Sequence, residues 1–185
     1  MTLTFSRPVP TRAPQPVIAA DQLVLRPLRK ADADLLGAYV ADRRVAEGTR
    51  SIPHPLPAGA AQAFIDEALI DGRDEDVWAI DGTPGGSASL LGVVSLKALD
   101  RSQSQIGYWV APAFWHGGIA SAAVRALLDA NPHANCTVFA EVFQDNPVSA
   151  RLLTNTGFEY IGDAEAWSVA RGLAVPTWTY LRKMP

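Results

Sequence analysis

The 185-residue chain has one cysteine, Cys136, so no internal disulfide can form and a reducing, cytoplasmic setting is expected. No stretch approaches eighteen consecutive apolar residues, which predicts no membrane span. The opening MTLTFSRPVP has no apolar segment behind a basic start, so no secretory signal is expected there. Sixteen Lys and Arg stand against nineteen Asp and Glu, a net charge of −3, and nothing foretells the broad basic surface that nucleic acid needs. Neither G-x-G-x-x-G nor Gly-Lys-Ser/Thr occurs, so the common nucleotide fingerprints are missing. His54, His116 and His133 lie far apart without ligand spacing, and no metal is expected. There is no internal repeat.

What is present suffices for one sizeable core, because 48% of the residues are apolar. The first twenty residues carry Pro8, Pro10, Pro14 and Pro16 without an apolar period and read as an extended or disordered arm, leaving residues 21–185 as a single domain. LVLRPL from Leu23 alternates as a strand. ADADLLGAYVADRRV then has helical spacing behind Asp32 as a cap, and IPHPLP (52–57) can only be an irregular turn. AGAAQAFIDEALI places Ala61, Phe64, Ile65 and Leu69 on one helical face. VWAID (77–81), LLGVVSLKAL (90–99) and SQIGYWV (104–110) predict three strands, and CTVFAEVF (136–143) a central one. Between the last two, Ile119, Ala123 and Leu127, with Ala120, Val124 and Leu128, form a helical stripe ended by Asn131 and Pro132. Asn146 as cap, Pro147 at the first helical position and Gly157 as a left-handed stop delimit another helix. FEYIG (158–162) and TWTYLRKM (177–184) close the list as strands. The order predicts an α/β mixed sheet with helices on both faces.

FWHGGIAS (114–121) sits at a strand-to-helix junction, where the first helical N–H groups are unpaired and attract phosphate. Gly117 and Gly118 either turn the chain or open its backbone to such a group. No Lys or Arg occurs between Arg101 and Arg125, so binding there is expected to rest on backbone amides.

Read together, LVLRPLRKADADLL, IGYWVAPAFWHGGIASAA and NPVSARLLTNTGFEYIG resemble the GCN5-related N-acetyltransferase (GNAT) superfamily, in particular its RimJ/RimL-like branch of ribosomal-protein N-terminal acetyltransferases, over roughly residues 22–183. Trp115, Gly118 and Ala120 occupy the three defined places of the family's acetyl-CoA motif. The resemblance implies a central mixed sheet in which two adjacent parallel strands, 104–110 and 136–143, splay apart around pantetheine. It assigns the pantetheine arm to backbone groups of Trp109 and Val110, the pyrophosphate to the amides of His116, Gly117, Gly118, Ile119 and Ala120, and an approach to the arm to Asn146. It implies acetyl transfer from acetyl-CoA, the co-substrate, to a primary amine such as a protein N-terminus or a small molecule, by direct attack in a ternary complex. The tyrosine that many relatives use against the departing thiolate is replaced by Leu153, and the branch offers Ser149 instead. Ser149 also reads as a second capping residue.

Thr137, Phe139, Glu141 and Phe143 share one strand face, so Glu141 is the candidate base, a carboxylate among aromatic rings or else an ordinary solvated side chain. Glu47, Asp81, Asp163 and Glu165 are further acids with no rank. Arg26 fits the family's arginine after the first strand or an exposed strand end, and Ala122 departs from the frequent glutamate of the motif. A catalytically silent acyl-CoA-binding module on the same fold is the alternative function. A monomer or homodimer is expected, without nucleic acid or membrane partners.

Overall fold

A computed structural model describes residues 14–185. Residues 1–13, most of the predicted arm, lie outside the described residues. The ordered chain begins ahead of Leu23: β1 (Ile18–Ala19) pairs with β2 (Val24–Pro27), the Gln15 amide donates to the Val77 carbonyl, and the buried Trp78 indole donates to the Pro16 carbonyl. These three anchors fix the stretch from Gln15 to Ala19 to the sheet.

The other elements follow the predicted order with one break. The first helical stretch divides into α1 (Ala33–Val40) and α2 (Arg43–Glu47), because the Asp42 side chain turns back to accept from Arg44 N and starts a new helix. After α3 (Ala60–Ala68) come β3 (Glu75–Asp81), β4 (Gly92–Leu99) and β5 (Gln103–Val110). Then follow α4 (Ile119–Ala130), β6 (Thr137–Phe143), α5 (Pro147–Asn155), β7 (Glu159–Ser168) and β8 (Leu173–Lys183). On α3 the buried residues are Ile65 and Ala68, with Phe64 and Leu69 each left 39% exposed, so the expected apolar face is rotated toward α1. There the gap is narrow: a Cβ on Gly37 would stand 3.4 Å from Ala61 Cβ.

Both ends of α5 are as the sequence specifies. Asn146 Oδ1 accepts from Ser149 N at 3.1 Å. At the other end Gly157, at φ +83°, lets Gly157 N reach Thr154 O and Phe158 N reach Leu153 O, and Phe158 packs in the same core as Leu153.

The strands form one sheet in the order β1-β2-β3-β4-β5-β6-β8-β7, antiparallel except for the parallel β5/β6 pair that α4 connects. Alternation sorts their side chains between two cores. Trp78, Ile80, Val94, Leu96, Ile106, Val138 and Ala140 join α4 and α5 on one face. Val77, Ala79 and Val93 join α1, α2 and α3 on the other. Burying residues such as Leu127 and Ile65 completely contributes about 1.5–3 kcal/mol each from the apolar area removed from water. The β7/β8 hairpin is longer than predicted; β7 is exposed along most of its length, with Ala166 and Ser168 buried near its end and Trp167 exposed between them.

Arg26 is buried, not an exposed strand end. Its guanidinium reaches Asp32 at 2.8 Å and Asp81 at 2.7 Å, and also donates to the Ser89 carbonyl. Asp32 is therefore a partner of Arg26 and of the Arg29 amide, and its carboxylate does not cap α1. Burial works to raise the Asp81 carboxyl, but hydrogen bonds from Arg26 and Thr83 outweigh it and hold the group below its usual value.

Candidate functional site

The parallel pair β5/β6 comes apart halfway. Ladder pairing runs from Gln103/Thr137 to Ile106/Ala140 and stops, while β5 stays paired to β4 through Val110 and β6 to β8 through Phe143. Residues 107–110 and 141–143 thus face each other without a ladder, and Gly107 is exposed in the middle of an eight-stranded sheet.

Backbone direction decides which groups border this opening. The Trp109 carbonyl lies over β4, so close that a Cβ on Gly92 would fall 2.2 Å from it. Successive residues of a strand turn their polar groups to opposite edges, which directs Tyr108 and Val110 toward β6. The Val110 carbonyl accepts from Trp115 Nε1 at 2.7 Å. The Trp109 ring packs instead against the second core, on the α1–α3 side.

At the end of β5 the chain takes two left-handed residues, His116 (φ +65°) and Gly118 (φ +73°), before α4 begins at Ile119. The amides of the first turn, with the positive end of the helix behind them, point out of the fold. A Cβ on Gly118 would meet nothing within 4 Å, so glycine is favoured there by conformation, not by crowding. The sequence suggested a loop served by backbone alone, and the fold adds a cation. The Arg44 guanidinium lies 5.4 Å from the Trp115 ring centroid and is held by Asp42 at 2.7 Å.

Asn146 and Ser149 stand at the start of α5, on the same face of the sheet as α4. The Ser149 side chain does not cap the helix: its Oγ lies 2.7 Å from the Tyr108 hydroxyl, which crosses from β5. Burial pushes the Tyr108 phenol up to about 12, against the opposing pull of the Ser149 hydrogen bond. Leu153 is core.

Glu141 occupies the opposite face, as alternation on β6 requires. Its Oε2 accepts from Arg50 Nη1 at 2.7 Å and its Oε1 from the Thr177 hydroxyl at 2.7 Å, so a guanidinium and a hydroxyl hold the carboxylate. The turn after β7 closes this side. Val169 N donates to the Arg50 carbonyl, and Arg171 donates to the Glu47 carbonyl, pairs with Asp145 and lies over the Phe143 ring.

Sequence spacing did not reveal Tyr108, Arg50, Thr177 or Arg171, whose partners come from distant segments, or the stacking of Arg44 on Trp115. Asp81 belongs to Arg26, Asp163 meets Gln144 and Tyr160, and the Glu47 side chain pairs with Arg43. His133 joins Asp76 and Ser104 in a buried network away from the opening. Among the described residues no group of three or more His, Cys, Asp and Glu could hold a metal.

The arrangement fits an extended, amide-bearing arm ending in an anionic group. Two unpaired strand edges are free to pair with such an arm, and the outward amides of α4 are free to donate to the anion. Comparison with known proteins agrees. The description "Acetyltransferase (GNAT) domain" matches residues 22–159, and the chain belongs to that family, whose members are acetyl-CoA-dependent acyltransferases. It is 26% identical over 174 residues to the uncharacterized N-acetyltransferase YoaA of Bacillus subtilis (strain 168), covering 89% of this chain and 95% of that one.

Solved structures share the fold. The microcin C7 self-immunity acetyltransferase MccE, in complex with acetyl-CoA and AMP, superposes with a TM-score of 0.76 at 18% identity over 89% of this chain and 93% of its own. RimJ of Mycobacterium smegmatis, in complex with CoA-disulfide, gives 0.75 at 21% identity over 91% and 87%. Spermidine N-acetyltransferase from Vibrio cholerae, in complex with CoA and spermine, gives 0.71 at 17% identity over 87% and 96%.

Proposed function

We propose that this acetyltransferase carries acetyl from acetyl-CoA to a primary amine, a protein N-terminus or a small-molecule amine, by direct attack while both substrates are bound. The observation that carries the reading is the opening between β5 and β6, flanked by Ser149 on one face and Glu141 on the other. Acetyl-CoA supplies an activated thioester. In this reading the edges of Tyr108 and Val110 hold the pantetheine arm, with Asn146 beside it, and the amides of His116, Gly117, Gly118, Ile119 and Ala120 hold the pyrophosphate. Trp109, its carbonyl turned to β4, contributes its ring as a wall of the acceptor side.

The amine must attack in its neutral form. Deprotonation at pH 7 costs a lysine side chain about 4.6 kcal/mol and an α-amine near pKa 8 about 1.4 kcal/mol. An acceptor of the second kind asks little of a base, and Glu141 takes the proton directly or through water. As the C–N bond forms and the C–S bond breaks, sulfur leaves with the electron pair and accepts a hydrogen bond from Ser149. Holding both substrates together supplies much of the remaining acceleration.

The serine three residues after Asn146, together with the fold likeness to RimJ, supports a place in the RimJ/RimL-like branch. Among the described residues no helix is long and apolar enough to cross a membrane. Separately, the exposed Cys136, which has no second cysteine to pair with, is in keeping with a reducing, cytoplasmic setting. Free CoA released from acetyl-CoA is the test, using peptides with free N-termini, the same peptides blocked at the N-terminus but carrying lysine, and polyamines. Release that depends on an amine is expected. No release with any of them contradicts transfer.

A further inference from the structure

We infer that Tyr108 is a positioning residue for the acetyl transfer: its phenol donates to Ser149 Oγ and so turns the serine's own proton toward the sulfur that leaves acetyl-CoA. The inference deepens the transfer reading above and rests on it. Three observations carry it.

The first is distance. The Tyr108 hydroxyl has two acceptors on Ser149, Oγ at 2.7 Å and the carbonyl oxygen at 3.5 Å, and only the first is a hydrogen bond of ordinary length. A hydroxyl has one proton to give. If Ser149 gave its proton to Tyr108, the phenol would be left with only the distant carbonyl. With the phenol as donor, its proton makes the short bond and the serine proton is left free for the departing sulfur.

The second is the fixed position of the serine. Ser149 N is tied to Asn146 Oδ1 at 3.1 Å at the first turn of α5, so once Tyr108 holds Oγ the hydroxyl has little freedom left. The third is place. Tyr108 lies on β5 in the segment that has parted from β6, and Ser149 on α5, so the pair bridges the opening on the side of α4.

The chemistry separates positioning from proton delivery. A phenol held at about 12 keeps its proton beside a thiolate, whose thiol titrates near about 8.5. The step balances without Tyr108 losing a proton: sulfur departs with the C–S electron pair and accepts the Ser149 hydrogen bond. The proton it takes afterwards is the one the amine nitrogen gives up.

The test is the titration of CoA thiol bound to the protein, followed by thiolate absorbance, in the wild type, Tyr108→Phe, Ser149→Ala and the double variant, together with kcat and KM. The bound thiol is expected to titrate about one pH unit lower in the wild type than in Ser149→Ala, about tenfold in thiolate stability. Tyr108→Phe is expected to lose most of that shift and about tenfold in kcat with the acetyl-CoA KM unchanged, and the double variant to equal Ser149→Ala. Site-specific fluorotyrosine at 108, which keeps the hydroxyl and makes it a stronger donor, should lower the bound thiol further. This keeps the test open if Tyr108→Phe does not fold.

Tyr108→Phe titrating and turning over like the wild type, or losses that add in the double variant, overturn the positioning role and leave transfer standing. A depressed thiol with no CoA release on any amine removes transfer and leaves the effect on sulfur. Failure to bind CoA removes both.

Discussion

Arg50 and Glu141, 91 residues apart in the chain, meet at 2.7 Å beside the sheet opening, on the face opposite α4 and α5. The pair ties the segment after α2 to the strand that borders the opening. It also sets the terms for any base chemistry by Glu141, because the carboxylate works beside a guanidinium and a hydroxyl.

Glu141→Gln keeps an acceptor for Thr177 and removes the charge. Loss of a general base costs about 10²–10⁴-fold in general, but an α-amine that is partly neutral already should lose only about tenfold near pH 7. The loss should shrink as pH rises past the acceptor's own pKa. A pH profile of kcat/KM checks this, and a loss equal at every pH removes Glu141 from proton abstraction.

Gly118→Asp places a negative charge where α4 presents its amides, and Gly118→Asn adds similar bulk without charge in a residue that tolerates left-handed backbone. Calorimetric titration with acetyl-CoA should show at least about tenfold weaker binding for Asp and only a few-fold for Asn, since about 1.4 kcal/mol is a factor of ten. Equal affinities for the two variants would mean the loop is only a turn.

Arg26 anchors β2 through two buried carboxylates. Arg26→Met leaves Asp32 and Asp81 buried without their cation, and breaking such a group costs about 3–5 kcal/mol. Urea unfolding at pH 7 should report a loss of that size. A change under about 1 kcal/mol would show that the carboxylates find water or other donors.

The same cluster fixes the direction of acid sensitivity. The folded Asp81 carboxyl sits below its ordinary 3.8, so its contribution is present above that value and lost as pH falls through the folded pKa. The urea midpoint of the wild type should hold from neutral pH to about 5 and drop below about 4. In Arg26→Met the acid loss should flatten or reverse, because protonation then relieves two buried charges. Parallel acid limbs in the two proteins would place the sensitivity elsewhere.

Local chemistry was legible in the sequence because it is written in neighbouring residues. Asn146, Pro147 and Gly157 marked both ends of α5, alternation put Glu141 on its strand face, and FWHGGIAS marked the end of β5. What stayed hidden depends on folding at a distance. Tyr108 meets Ser149 across 41 residues and Arg171 meets Glu47 across 124, pairings without any periodic signal. β1 was hidden because a two-residue strand among prolines has no period. The outer half of β7 was hidden because Asp163, Ala164, Glu165 and Ala166 are poor strand formers.

The proposed acetyl-CoA site joins the parted edge of β5 to the start of α4. Residue-resolved hydrogen exchange with and without acetyl-CoA tests it most directly. Strong new protection is expected at the amides of Tyr108, Val110 and His116 through Ala120, with the rest of β5 unchanged. Protection that appears elsewhere, or none at these amides under saturating acetyl-CoA, would contradict it.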